Sequence, residues 1–283
     1  MSLTLSWSDH VLNLDQRTHV MGILNVTPDS FSDGDRYLEV DKAVEYALEM
    51  AHEGADIIDV GGESTRPYSQ KISVSEELDR VIPVIEVLSR ELTIPISIDT
   101  YKAAVAQVSL KAGASIINDI SALRFDPHMA SIAAQAGVPL ILMHMKDTPQ
   151  DMQENPVYDD VISEILDFLK DAIMRSRKAG IKESLIIVDP GIGFGKTFNN
   201  NLEIIRDLSR FASLKRPVLL GTSNKAFIGH ILGREAHQRD TGTMATIAAG
   251  VMNGAHIVRV HNVRKAVETV KIIDAIKRGR VDA

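Results

Sequence analysis

Residues 41–63 read DKAVEYALEMAHEGADIIDVGGE. Ala43, Val44, Ala47, Leu48 and Ala51 recur at i, i+3, i+4 spacing, which predicts an amphipathic helix over Asp41–Glu53. Gly54 stands where a left-handed residue would end that helix. Asp56–Val60 is a short apolar run, and Glu63 lies just beyond it. Helix, glycine stop, buried strand and polar residue make one unit of a parallel α/β fold. Seven further runs have the same form: His19–Leu24, Pro95–Ile98, Ser115–Ile117, Pro139–Met143, Leu185–Val188, Pro217–Leu220 and His256–Val258. At or after their ends come Asn25, Asp99, Asn118, His144, Asp189, Ser223 with Lys225, and Arg259 with His261. Eight strand-then-helix units predict an α/β chain folded as a (β/α)8 TIM barrel, in which the C-terminal strand ends share one mouth.

The chain of 283 residues suffices for one barrel domain of about 250 residues plus a small addition. Leu3–Trp7 and Val11–Leu14 flank a Ser8-Asp9 turn and predict an N-terminal β-hairpin within residues 1–18, closing the barrel bottom with Trp7 as a packing residue. Further helices are predicted over Ser163–Lys178, stopped by Gly180, over the nearly uncharged Thr243–Asn253, and over Val263–Lys277. Hydrophobic residues make up 45%, enough for a sizeable core. A net charge of -7 argues against a general nucleic-acid or anionic-membrane partner. No run approaches the ~18 apolar residues of a membrane span. Met1–Asp15 lacks a signal-peptide pattern, and the absence of cysteine fits a reducing compartment. These features together lead to the expectation of a cytoplasmic protein.

Two connections are long: Asn25–Val40 (NVTPDSFSDGDRYLEV) and Gly61–Ser75 (GGESTRPYSQKISVS). Loops of this length on the catalytic face of a barrel read as lids or binding loops. The stretch Asp189–Thr197, DPGIGFGKT, nearly matches a nucleotide P-loop but has Pro190 where that motif needs glycine. Its glycines instead let backbone and Phe194 approach a flat ligand. Asp99 and Asp189 each follow apolar residues and need a partner. They are either core aspartates satisfied by backbone amides or acceptors for a guanidine-like edge, such as a 2-amino-4-oxo pyrimidine, with Asn118 adding a donor and an acceptor. Arg259 and His261 fall on one strand face and suggest an anion, most simply phosphate. Lys225, ahead of an apolar helix, could bond a ligand carbonyl or anion. His144 and Glu63 read more simply as structural residues. No cluster has zinc spacing, whereas a hard cation held by Asn25 and ligand phosphates would suit Mg2+.

The segments MGILNVTPDSFSDG (Met21–Gly34), GADIIDVGGESTRP (Gly54–Pro67), ISIDT (Ile96–Thr100), INDIS (Ile117–Ser121), DPGIGFGKT, GTSNKAFIG (Gly221–Gly229) and RVHNV (Arg259–Val263) resemble the dihydropteroate synthase family, in order and along nearly the whole chain. That resemblance implies a transferase of folate biosynthesis. It would condense 6-hydroxymethyl-7,8-dihydropterin pyrophosphate with p-aminobenzoate by an SN1-like transfer, with Mg2+, a cytoplasmic homodimer and sulfonamide sensitivity. By the family pattern Asp99, Asn118, Asp189 and Lys225 hold the pterin, alongside Met143 and Phe194. Asn25 meets Mg2+, and Arg259 and His261 bind the pyrophosphate. Thr65, Arg66 and Pro67, with Phe31 and Ser223, shape the p-aminobenzoate site, and Asp33 helps hold a closed first loop. Asp99, Asp189, Lys225, Arg259 and His261 form the catalytic set. The chain departs from the family at Asn224, where Arg is usual, at Ala226, where Ser is usual, and at Asp35, where Gly is common. Three rivals stand beside this reading: a pterin-binding paralogue without turnover, a methyltetrahydrofolate:corrinoid methyltransferase, and an unrelated sugar-phosphate barrel enzyme.

Overall fold

The structure is a computed structural model that describes residues 3–27, 36–64, 69–149 and 151–280. Strands β1 (Thr4–Trp7) and β2 (His10–Asn13) pair antiparallel, with Thr4 opposite Asn13, and turn at Ser8 and Asp9 as predicted. Leu5, Trp7 and Leu12 alternate inward and join the main apolar core. The hairpin sits beside the short turn Glu183–Leu185 that precedes a barrel strand, which places it at the bottom end of the barrel.

Eight parallel strands follow: β3 (His19–Asn25), β4 (Ile57–Gly61), β5 (Ile96–Asp99), β6 (Ile116–Asp119), β7 (Leu140–Met143), β8 (Ile186–Asp189), β9 (Leu219–Leu220) and β10 (Ile257–Val260). Each lies on one of the eight apolar runs. Their spatial order is β8-β7-β6-β5-β4-β3-β10-β9. A bridge between Val188 and Val218, with Val188 N–H donating to the Pro217 carbonyl at 2.9 Å, joins the two ends of this sheet into a ring. The strands are buried on both faces, which is why they read as unbroken apolar runs rather than as alternating ones.

The helices are α1 (Arg36–His52), α2 (Val74–Glu91), α3 (Ala103–Ala112), α4 (Met129–Ala136), α5 (Val161–Lys178), α6 (Phe198–Arg206), α7 (Ala226–Leu232), α8 (Asp240–Met252) and α9 (Val263–Arg278). Both α7 and α8 follow β9, so that unit carries an extra helix. Several boundaries differ from the sequence reading by a few residues, among them α5, which starts at Val161 rather than Ser163, and α8, which starts at Asp240 rather than Thr243. Helix α1 starts at Arg36 instead of Asp41, because the apolar stripe begins only at Ala43 and the first turn lacks a periodic signal. The second long connection ends at Ser73, whose Oγ accepts the Glu76 N–H at 3.1 Å and caps α2. Among the described residues no helix is long and apolar enough to cross a membrane.

Strand parity positions the site. A Cβ on Gly22 would meet Met50 Sδ of α1 at 2.7 Å, so Gly22 faces the helices. Met21, Ile23 and Asn25 therefore face the barrel interior. The register then sets Asn25 beside Gly61, Gly61 beside Asp99 and Asp99 beside Asn118, one inward row across four strands.

The ring is tied to the closing helix by one buried carboxylate. Asp274 of α9 accepts the Thr18 backbone N–H at 2.7 Å and the Thr18 hydroxyl at 2.9 Å, just before β3. Both residues are buried. Asp274→Ala leaves two buried donors unsatisfied and is expected to cost about 2–4 kcal/mol. A urea unfolding midpoint checks this, with turnover of the folded fraction unchanged because Thr18 lies at the far end from the mouth.

Candidate active site

The inward row ends at the C-terminal face, where the strand ends ring a common space, the cup. Arg259, on β10, crosses the barrel interior toward β4 and β5. Its Nε donates to Asp59 Oδ2 at 2.6 Å and its Nη2 to Asp99 Oδ2 at 2.7 Å. Asn118 Nδ2 donates to the same Asp59 oxygen at 3.0 Å. Asp59 is fully buried one layer below the mouth, opposite Ser97 in register. Burial works against the charge on Arg259, but Asp59 and Asp99 outweigh it and raise its proton affinity. For Asp99 the balance runs the other way. Burial, countered by Arg259 and reinforced by Asp59, pushes its carboxyl up to about 7. One guanidinium does not fully offset the desolvation of two neighbouring carboxylates.

Asp189 ends β8 opposite Met143 in register. Its Oδ1 accepts the Gly191 N–H at 2.7 Å, and burial pushes the carboxyl up to about 6 against that bond and against Lys225 and Lys196. The glycine is obligatory. Gly191 has φ +71, and a Cβ there would stand 1.9 Å from the His144 carbonyl oxygen. The DPGIGFGKT turn thus lies backbone to backbone on the end of β7. Phe194 rises from it, and Lys225 Nζ sits 4.3 Å from the Phe194 ring centroid. Burial and Arg259 bring the Lys225 ammonium down to about 8, with Asp189 and Asp99 opposing. Met143 packs with Ile120, Met145 and Met152, and Phe194 leans on this cluster. The cup therefore has one apolar wall and one charged side, a shape suited to a flat heterocycle with polar edges.

At the mouth Ser223 Oγ stands 2.8 Å from His261 Nδ1 and accepts the His261 backbone N–H at 3.2 Å. The pair fixes the imidazole between the ends of β9 and β10. A Cβ on Gly61 would come within 3.5 Å of Asp99 Cβ and 3.9 Å of Asn25 Oδ1, so the bare glycine keeps the space between Asn25 and Asp99 open.

The structure brings Asn25, Asp99, Asn118, Met143, Asp189, Phe194, Ser223, Lys225, Arg259 and His261 to this one end of the barrel. Phe31, Asp33, Thr65, Arg66 and Pro67 lie outside the described residues. Sequence reasoning missed Asp59 and Lys196. Asp59 interrupts the run Ile57–Val60 at an inward position, and a carboxylate inside a buried strand was the available signal. Lys196 Nζ is buried and donates to the Phe194 carbonyl at 2.9 Å and to His144 Nδ1 at 3.0 Å. Burial lowers the Lys196 ammonium to about 7. The lysine of the near-P-loop thus braces its own turn, and Thr197 caps α6 by accepting the Asn200 N–H. His144 is the structural residue it resembled. Its ring stacks edge-on against Phe168 at 4.8 Å, and burial followed by Lys196 holds it well below the usual imidazole range. Glu63 is likewise an ion-pair partner, of Lys102.

A closed parallel barrel with convergent acids, an amide, an ammonium and a guanidinium at its C-terminal mouth defines a barrel enzyme that takes a flat, polar-edged substrate. A family model described as pterin binding enzyme matches residues 21–261. The dihydropteroate synthase of Bacillus subtilis (strain 168) is 49% identical over 265 residues, 94% of this chain and 90% of that protein. Two solved structures of Xanthomonas albilineans dihydropteroate synthase superpose closely. The one with 4-aminobenzoic acid has TM-score 0.91 and 43% identity and covers 98% of this chain and 99% of that one. The one with 7,8-dihydropteroate has TM-score 0.88 and 41% identity and covers 97% and 98%. The chain belongs to the pterin-binding enzyme family, and within it to the dihydropteroate synthases.

The departure at Asn224 has a local cause. Asn224 has φ 56, a left-handed conformation that asparagine adopts more cheaply than arginine. Its backbone N–H donates to Thr243 Oγ1 at 3.1 Å, and its Oδ1 lies 3.4 Å from the same hydroxyl on α8, away from the cup. Arg239 reaches this turn instead, donating to the Asn224 carbonyl at 2.8 Å. Asn224→Ala is expected to cost about 1 kcal/mol in denaturant unfolding, and Asn224→Gly about half of that or less. Both should keep kcat/KM within about twofold of the parent, because the side chain faces α8.

Proposed function

We propose that the cup joins 6-hydroxymethyl-7,8-dihydropterin pyrophosphate to p-aminobenzoate, releasing pyrophosphate and giving 7,8-dihydropteroate. The observation that carries this is the convergence of Asp99, Asn118, Asp189 and Lys225 beside the Met143–Phe194 wall, with Arg259 and His261 on the same rim. The Xanthomonas structures with 4-aminobenzoic acid and with 7,8-dihydropteroate support it.

In this reading Asp99 and Asp189 accept the N–H donors of the pterin's 2-amino edge. Asn118, its Nδ2 engaged by Asp59, offers its carbonyl oxygen, and Lys225 donates to the ring carbonyl. The C–O bond between the pterin methylene and the diphosphate breaks first, and its electron pair leaves with the diphosphate. Arg259 and His261 neutralise that growing charge. The electron-poor methylene left behind is conjugated to the ring, and the nearby carboxylates stabilise it. The arylamine nitrogen then forms the new C–N bond and loses its proton to the departing pyrophosphate. The amine is already nucleophilic, so no activated serine or cysteine is needed. Thr65, Arg66, Pro67, Phe31 and Ser223 would shape the arylamine site, and Asp33 would hold the closed loop that excludes water.

Mg2+ is proposed as the cofactor. Asn25 offers one neutral oxygen at the rim, and no group of three or more acids or histidines among the described residues could hold a metal. That donor set fits an ion held mainly by diphosphate oxygens, whose chemistry is to offset leaving-group charge. We also propose a cytoplasmic homodimer. Phe198, Leu202, Ile231, Leu232, Met252 and Ile276 stay exposed on the neighbouring helices α6 to α9, and they support pairing through that side.

Incubating the protein with the pterin diphosphate, labelled p-aminobenzoate and Mg2+ should yield labelled dihydropteroate and one pyrophosphate per turnover. Pyrophosphate release that ignores p-aminobenzoate would refute the reading. The pH dependence of kcat/KM for the pterin substrate has a defined sign. Protonating Asp99 (about 7) or Asp189 (about 6) removes an acceptor, so the rate falls as pH drops through 7 to 6. Lys225 (about 8) loses its donated charge above that, so the rate falls again on the alkaline side. Lys225→Arg should move the alkaline limb out of the measured range, because a guanidinium stays charged.

A further inference from the structure

Lys196 takes no part in the reaction derived above, yet it is buried against the turn that carries Phe194, with 2% of its surface exposed. Nζ donates to the Phe194 carbonyl at 2.9 Å and to His144 Nδ1 at 3.0 Å, and it lies 3.4 Å from the His144 carbonyl. All three partners are uncharged. A buried ammonium bonded only to neutral groups is costly, and an apolar side chain would fill the same space without that cost. His144 is free to accept at Nδ1 because burial, with the charges of Lys196, Arg124 and Lys146, keeps its ring unprotonated.

The turn 190–195 carries much of the cup. The Gly191 N–H donates to Asp189 Oδ1 at 2.7 Å. A Cβ on Gly193 would stand 3.0 Å from Lys225 Cδ, so the Lys225 stem rests on that glycine. The Phe194 ring centroid lies 4.3 Å from Lys225 Nζ. Gln153 and Tyr158 take the carbonyls of Gly193 and Gly195, which leaves the Phe194 carbonyl between them to Lys196. Lys196 also acts on Asp189 through its charge. After the Gly191 bond, Lys225, Lys196 and Arg259 are the groups that favour the Asp189 carboxylate. Lys196 in turn is favoured by Asp189 and opposed by Lys225.

We propose that Lys196 is a positioning residue for the pterin substrate: it ties the turn 190–195 to the end of β7 in its binding geometry and sets a positive charge near the Asp189 carboxylate. This rests on the function proposed above. Asp99, Asn118 and Arg259 stand on β5, β6 and β10, outside the bonds that Lys196 makes. Its loss should therefore weaken the pterin and spare p-aminobenzoate.

The test is calorimetric binding of the pterin diphosphate with Mg2+, steady-state kinetics, and carbon NMR of the ligand-free protein. Lys196→Met keeps the length of the side chain and removes its charge and donors. It should raise the pterin Kd by about tenfold or more, while KM for p-aminobenzoate at saturating pterin stays within about twofold. The Asp189 carboxyl resonance, assigned by its loss in Asp189→Asn, should titrate higher by about half a pH unit or more. His144→Phe keeps a ring but removes the acceptor, and should raise the pterin Kd about three- to fivefold. His144→Asn returns an acceptor at the δ position and should recover the parent Kd to within about twofold. The two His144 variants decide the matter if Lys196→Met loses its helical circular dichroism. An unchanged pterin Kd or an unmoved Asp189 titration in folded Lys196→Met would overturn the assignment. So would an equal rise in KM for p-aminobenzoate, or His144→Phe binding the pterin as the parent does. Wild-type protein that does not bind the pterin diphosphate would refute the function instead, and the NMR titration needs no substrate, so the two failures are distinguishable.

Discussion

The site is organised by a single guanidinium shared between the buried Asp59 and the half-buried Asp99. Arg259 reaches from β10 to Asp59 on β4 and Asp99 on β5, so a charge on one side of the ring is set against acids on neighbouring strands. Removing one partner of such a set costs about 3–5 kcal/mol, because the remaining charge cannot escape to water. The arrangement cannot be loosened piecemeal. Asp59 also receives Asn118, and through it β6, the fourth strand of the inward row, is drawn into the same network. The position of Asp99 at the mouth, and hence the acid side of the cup, follows from this one contact set.

The apolar side is built differently. Met143, Ile120 and Met145 form a wall by packing alone, and the turn carrying Phe194 is laid against it by backbone proximity at Gly191. Lys196 then seals the turn from behind with bonds to Phe194 and His144. Tyr158 adds a bond to the Gly195 carbonyl at 2.6 Å, and Gln153 one to the Gly193 carbonyl at 2.7 Å. A turn pinned at so many points presents Phe194 and Asp189 in one geometry, which is what recognition by bidentate hydrogen bonds requires.

Most of the barrel is legible in the chain because strand burial and strand ends are local facts. Each of the eight runs became a strand, and Asn25, Asp99 and Asp189 mark their ends as read. What stayed hidden is tertiary. Asp59 sits inside an apolar run, where its neighbours Ile58 and Val60 drown its signal, and its meaning appears only when Arg259 arrives from 200 residues away. The reading of Arg259 as an anion clamp missed that two carboxylates already orient it. Lys102 looks like an ordinary helix-start lysine until the fold brings Glu63, Ile72 and Glu77 around it. The early start of α1 was invisible because its first turn, ahead of the stripe that begins at Ala43, has no apolar periodicity to detect.

The electrostatics of the cup carry a further consequence. Asp189 and Asp99 are raised to about 6 and about 7, while Lys225 is lowered to about 8. Groups that differ widely in water have converged to within about 2 pH units, and each unit corresponds to about 1.4 kcal/mol. Shifting a proton among them is therefore cheap compared with the charge a diphosphate brings or a departing one leaves behind. A cup of permanently ionised acids and bases would bind its ligand against strong internal pairing. One poised near neutrality lets the incoming N–H edge and the anionic tail select which groups are charged. In the reaction proposed above, the carboxylates would be ionised where the cation develops and the cationic side chains would stay charged where the diphosphate leaves.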